Sequence, residues 1–252
     1  MSIPKVIHYC WLSNDPLPDK LARCIKSWSE KCPDYEIINW NFDRLGDNCP
    51  IWVRQAFDTK KYAFAADWVR AYVLYTHGGI YLDSDVEVLK PFDDLLDNRY
   101  FLSYEHDSTE TIEAAVMGAE AGLGFFKDLL SYYDGRKFIK EDGSLDIFPL
   151  PYIINQVCRD NYNIIPISSP KDYITNGDSN KELLVLPPDY FSPKSTETGK
   201  IRLTANTYTI HHFAASWAPK THRRKRNLKH RYPRLMRFLI ICKHLLNGTR
   251  PI

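Results

Sequence analysis

"GGIYLDSDVEVLKP", residues 78–91, closes an apolar run with two aspartates one residue apart. Ile80 to Leu82 has the composition of a buried strand, and the two glycines before it have that of a helix stop. In an extended segment, residues i and i+2 point to the same side. Asp83 and Asp85 would then repel each other unless a cation or a proton lies between them. Mg²⁺ and Mn²⁺ prefer oxygen ligands and often take one or two carboxylates together with substrate phosphates. A nucleotide diphosphate would complete that shell. Asp-x-Asp triplets also arise by chance in chains of this length, so the reading depends on what surrounds the triplet.

Outward from the triplet the chain alternates strands and helices. "PKVIHYCWL" (4–12) reads as a first strand and "DYEIINW" (34–40) as a second. Between them Leu17, Leu21, Ile25 and Trp28 recur at helical spacing. Residues 51–77 contain no proline and read as one helix ending at Gly78. Strands are expected again at 80–89, 100–105 and 114–119, and helices at 124–133 and 149–161. Residues 162–210 are rich in Pro, Ser, Asn and Asp and read as loops with short strands such as "ELLVLP". This order predicts an α/β fold with a mostly parallel sheet flanked by helices, ligands lying beyond the carboxyl ends of its strands. Neither GxGxxG after a strand nor GxxxxGK[ST] is present.

The chain has 252 residues, 44 % of them apolar and 13 % aromatic, enough for a sizeable core. Its six cysteines show no CxxC pair or zinc spacing, and "MSIPKVIHYCWL" lacks the apolar stretch of a signal peptide. Reduced thiols and a cytoplasmic setting are expected. The net charge of +2 hides a split: residues 220–252 hold 11 Lys and Arg and no acid, leaving 22 basic against 31 acidic residues before them, a balance of −9. A catalytic domain over 1–219 and a basic amphipathic segment over 220–252 are expected. In that segment Leu235 to Leu246 is too short to span a bilayer. Its apolar run between basic flanks suits a helix lying on an anionic membrane surface. Nucleic-acid binding is disfavoured, because "RRKRNLKHR" has no aromatics for base stacking.

Asp67 and Arg70 stand three apart on the helix before the triplet, hence on one face, among Ala63, Phe64, Ala65, Ala66, Trp68, Val69 and Ala71. They read either as a structural ion pair or as groups at the cleft. The blocks Asp67-x-x-Arg70, Gly78 to Asp85 and "IPKVIHYCWL" at 3–12 together resemble the DXD-containing sugar-transferase family. Its members include yeast α-mannosyltransferases, bacterial capsular-polysaccharide transferases and, more distantly, the clostridial glucosylating toxins. The resemblance covers about the first 100 residues. It implies a type-A glycosyltransferase fold: one nucleotide-binding domain that is metal-dependent, retains anomeric configuration and uses a nucleotide-sugar donor.

Roles follow from the resemblance. Trp11 would stack on the base, Asp67 and Arg70 would hold the donor sugar, and Asp83 would contact ribose and sugar. Asp85 would be the direct ligand of Mn²⁺ or Mg²⁺, and Tyr81, within the motif, would line the donor site. "HHFAASW" (211–217) resembles the family's C-terminal His-x-x-x-Ser-Trp element. It offers His212, or nearly as readily His211, as a further ligand, with Ser216 and Trp217 approaching the diphosphate. The corresponding toxin segment supplies a glutamate, so the histidine is a departure. Asn155, in "INQ" (154–156), resembles a toxin triplet near the sugar, though a polar helix face accounts for it equally well. His8 reads as a satisfied core histidine.

The expected activity is hexose transfer, UDP being favoured by the tryptophan platform, to a lipid-linked or growing surface glycan at the inner face of the plasma membrane. The alternatives are a metal-dependent phosphohydrolase drawing on Glu87 and Glu105, and a non-catalytic membrane-binding adaptor.

Overall fold

The structure is a computed structural model and describes residues 2–13, 15–46, 49–106, 110–175 and 181–214. Ser216, Trp217 and the whole basic segment lie outside the described residues.

Strand β1 (Val6–Cys10), helix α1 (Asp19–Lys31) and strand β2 (Glu36–Trp40) open the chain as a parallel β-α-β unit. Helices α2 (Phe42–Leu45), α3 (Ile51–Asp58) and α4 (Tyr62–His77) follow, then strands β3 (Gly79–Leu82) and β4 (Val86–Val88). Next come β5 (Tyr100–Phe101), β6 (Val116–Ala119), α5 (Gly124–Ser131) and α6 (Leu150–Asn161). The described part closes with β7 (Asn163–Pro166), α7 (Asp172–Thr175), β8 (Glu182–Val185) and β9 (Thr209–His211).

The central sheet runs β2-β1-β3-β6-β5. β1 is parallel to both neighbours, and β6 is antiparallel to both of its own. Four of the five strands therefore share one direction, the mostly parallel α/β arrangement expected from the sequence. β4 leaves this sheet to pair antiparallel with β9, and β7 pairs with β8 in a separate parallel ribbon.

Side-chain alternation along β3 divides the core. Ile80 and Leu82 pack with Ile7, Trp28 and Phe92 on one face, while Tyr81 packs with the α4 and α5 side chains on the other. Two glycines make the entry into β3 possible. Gly78 has φ +66°, and a Cβ there would lie 2.7 Å from the Ala121 amide nitrogen. Gly79 has φ +95°, and its Cβ would meet the Val6 carbonyl at 2.7 Å.

Two expectations fail locally. Residues 51–77 are two helices, not one. The Lys61 N–H donates to Ala56 O and the Lys60 N–H to Phe57 O, each at 2.8 Å, while Lys60 adopts φ +58°. This is a Schellman ending with lysine in the left-handed position usually held by glycine, so the sequence carries no stop signal there. The second failure is the single strand expected over 80–89. The Asp83 N–H still continues the β3 ladder to Ala115 O at 2.9 Å, but Asp83 O then accepts from the Val86 N–H at 2.9 Å. The Asp-Ser-Asp triplet is a turn between two sheets.

Candidate active site

The turn has anchors on both sides. The Trp28 indole N–H of α1 donates to Val86 O at 2.7 Å, and Ser27 Oγ accepts from the Val88 N–H at 2.9 Å. α1 thereby holds β4 in place. Pairing of Val86 with His211 then carries β9 to the triplet. The sequence distance between Asp85 and His211 is closed by one ladder rung.

On one side of the turn, Arg70 Nη2 lies 3.1 Å from Asp83 Oδ1 and 3.4 Å from Asp67 Oδ1. Its Nη1 donates to Ala114 O, and its guanidinium carbon sits 4.8 Å from the centre of the Tyr81 ring. The Tyr81 hydroxyl donates to Asp83 Oδ1 at 3.2 Å. The Arg70 side chain is 7 % exposed and that of Asp83 28 %, so the pair is buried with one carboxylate edge open to solvent. Burial pushes the Asp67 carboxyl up to about 7 against the pull of Arg70. Burial likewise raises Asp83, with Arg70 opposing and Asp85 adding to the shift.

On the other side, Asp85 Oδ1 lies 3.5 Å from His211 Nε2. Its Oδ2 accepts from the Ala214 N–H at 2.6 Å. Phe213, at φ +51°, makes the bend before Ala214, and its ring lies 4.0 Å from that of His211. A non-glycine residue in this region costs on the order of 1–2 kcal/mol, strain of a kind that collects at functional sites. His211 Nδ1 faces Glu113 Oε2 at 3.2 Å. Burial works to lower the His211 pKa, but Glu113 and Asp85 outweigh it and hold the imidazole at about 9. Burial likewise works to raise Glu113, but His211 and the Ala115 N–H hold it at about 2. Glu113 and His211 thus pair as carboxylate and imidazolium, and a cation at Asp83 and Asp85 would take the place of the Nε2 proton.

The structure brings Asp83, Asp85 and His211 together, each offering a ligand atom within 4.8 Å of the others'. His212, the histidine favoured from the sequence, does not join them. Its Nε2 meets Glu87 Oε2 at 2.8 Å, its N–H donates to Asp85 O at 3.1 Å, and its carbonyl accepts from Lys194 Nζ at 2.7 Å. The reason is strand alternation: neighbouring residues at the end of β9 face opposite sides. Trp11 follows the end of β1, beside β3 at the sheet's carboxyl edge, with its N–H on Asn39 Oδ1 at 3.1 Å and its indole N–H on Asp15 O at 2.9 Å. Asn155 sits on α6, its Oδ1 buried without a hydrogen-bond partner. His8 is satisfied: the Trp40 indole N–H donates to Nδ1 at 3.0 Å, so Nε2 carries the proton and donates to Gly78 O at 2.9 Å.

Glu113 was not singled out from the sequence. One acid before "AAVMGA" carries no motif, and its meaning depends on a hairpin. The Glu113 N–H donates to Ser103 O at 2.8 Å, and Tyr104 bridges Ile112. Glu105, whose N–H donates to Thr111 O, belongs to the same hairpin. Burial and Glu113 raise its carboxyl to about 7.

Residues 18–102 match the family described as "Glycosyltransferase sugar-binding region containing DXD motif". Inositol phosphoceramide mannosyltransferase 3 of Schizosaccharomyces pombe is 34% identical over 128 residues, covering 49% of this chain and 35% of the relative. Mannosyl phosphorylinositol ceramide synthase SUR1 of Saccharomyces cerevisiae is 30% identical over 149 residues, covering 54% and 37%. The chain spans about a third of the length of these curated relatives. Among solved structures, a PaToxG glycosyltransferase superposes with a TM-score of 0.48 at 18% identity, covering 63% of this chain and 70% of that one. The family match and the relatives' names bear out the glycosyltransferase reading of the sequence, and residues 18–102 match that family's DXD-containing sugar-binding region.

Proposed function

We propose that the protein is a divalent-cation-dependent, retaining type-A glycosyltransferase that moves a hexose from a nucleotide sugar to a lipid-linked or growing glycan. The observation carrying this reading is the convergence of Asp83, Asp85 and His211 at the end of β3, beside the buried Arg70. Two carboxylate oxygens and one imidazole nitrogen suit Mn²⁺ or Mg²⁺. Their ligand atoms lie within 4.8 Å of one another, close enough for these three side chains to hold such an ion. When bound, the cation would stabilise the charge that develops on a departing diphosphate.

The chain's own groups divide the rest. Arg70 and Asp67 hold donor hydroxyls, Asp83 is held by Arg70 and Tyr81, and Trp11 offers a ring for the base. Ser216 and Trp217, which the resemblance assigns to the diphosphate, lie outside the described residues. UDP is the donor nucleotide favoured by the tryptophan. The mannosyltransferase names of the relatives favour mannose instead, with GDP-Man as the donor to compare, and the inositol phosphoceramide in those names supports a lipid acceptor. The basic segment 220–252 is proposed to lie on the inner face of the plasma membrane. A thermal-shift panel of UDP-Glc, UDP-Gal, UDP-GlcNAc, UDP-GalNAc and GDP-Man, each with and without Mn²⁺, tests the donor and the cation together. Asp85→Ala is expected to abolish donor turnover in a folded protein; persistent transfer refutes the cation role.

Glu113 adds a carboxylate to the cluster, which favours the phosphohydrolase as second reading. Slow hydrolysis of a nucleotide sugar without action on phosphate esters separates the two.

A further inference from the structure

We infer that Glu113 is a positioning residue: it fixes which nitrogen of His211 faces the Asp83–Asp85 pair, and so sets how tightly the site holds a divalent cation. The inference rests on the cation reading of the cluster and extends it to a residue outside the DXD motif.

Both Glu113 oxygens are committed. Oε1 accepts from the Ala115 N–H at 2.8 Å and Oε2 meets His211 Nδ1 at 3.2 Å, on a side chain only 3 % exposed. A carboxylate can only accept, so Nδ1 must carry its proton toward Glu113. That leaves Nε2, 3.5 Å from Asp85 Oδ1, as the nitrogen available to a cation. Such carboxylate–histidine pairs orient the ring and raise its basicity as a ligand. The backbone reinforces the arrangement. Ala115 donates its N–H to Glu113 and accepts from the Asp83 N–H at 2.9 Å. One short segment therefore sets the height of Asp83 and the direction of His211 at once.

Glu113→Gln separates this role from simple packing, because glutamine has one acceptor where the carboxylate has two. Its oxygen stays on the Ala115 N–H, whose acceptor in the wild type is Glu113 Oε1. Its NH₂ then faces Nδ1. Nδ1 must become the acceptor, and the proton moves to Nε2, pointing at the cation position. The ring remains but its ligand nitrogen is blocked. Losing an outer partner of this kind typically weakens metal affinity 10–100-fold.

The experiment uses the full chain. Nitrogen-15 spectra of the histidine rings, with His211→Ala for assignment, report whether Nδ1 is protonated or bare without metal. Calorimetry with MnCl₂, alone and with UDP, reports affinity for wild type, Glu113→Gln, Glu113→Asp, His211→Ala and the double variant. Expected are a bare Nδ1 and a 10–100-fold weaker Mn²⁺ affinity in Glu113→Gln, partial retention in Glu113→Asp, and no further loss when Glu113→Gln is added to His211→Ala. A protonated Nδ1 in Glu113→Gln, an affinity within twofold of wild type, or an undiminished effect in the His211→Ala background overturns the inference and leaves the cation reading intact. Absence of Mn²⁺ binding by the wild type overturns both.

Discussion

Replacing Arg70 by methionine should be among the costliest single changes in the fold. The side chain is 7 % exposed and neutralises two carboxylates, Asp83 at 3.1 Å and Asp67 at 3.4 Å. Methionine fills much of the volume, so the cost is electrostatic rather than a cavity. Removing one partner of a buried pair typically costs about 3–5 kcal/mol. For a domain of this size, about 2–4 °C accompanies each kcal/mol, giving a Tm lower by roughly 6–20 °C. The pH dependence sharpens the test. Asp67 already stands at about 7 with Arg70 beside it, and loss of the guanidinium raises it further. A carboxyl whose folded pKa lies above its unfolded one stabilises the fold least at high pH. The gap between variant and wild type should therefore widen from pH 6 to pH 8.5. Urea unfolding at both pH values measures it. A variant within 1 kcal/mol of wild type at pH 8.5, or a gap that does not widen, refutes the idea that Arg70 is there to hold buried charge.

Lys60→Gly is expected to stabilise the protein by about 1 kcal/mol, because lysine at φ +58° carries the left-handed cost that glycine avoids; an unchanged or lower urea midpoint contradicts this. His8 should stay neutral in the folded protein until about pH 4, since burial lowers it that far from 6.5. Its contribution is present above pH 6.5 and is lost as pH falls toward 4, about 3 kcal/mol at about 1.4 per pH unit. A ring titrating near 6.5 by NMR contradicts the assignment.

Motifs whose residues lie close along the chain were legible from the start. Asp67 and Arg70 share a helical face by spacing alone, and the Gly78-Gly79 stop before an apolar strand marks where a buried helix hands over to the sheet. The β-α-β opening follows from alternating periodicity. Lys60 shows the limit of such reading. The left-handed helix ending is made by backbone hydrogen bonds, and the side chain that sits there advertises nothing.

Hydrophobic period and glycine punctuation are local properties, so a mostly parallel α/β domain with a DXD triplet at a strand's carboxyl end can be read along the chain. It took the packed fold to make the triplet a turn, to bring His211 rather than His212 to it, and to set Glu113 behind that histidine. Those choices depend on the register of β4 against β9 and of residues 103–105 against 111–113. A slip of one residue would turn the other histidine inward, and no spacing along the chain records that register.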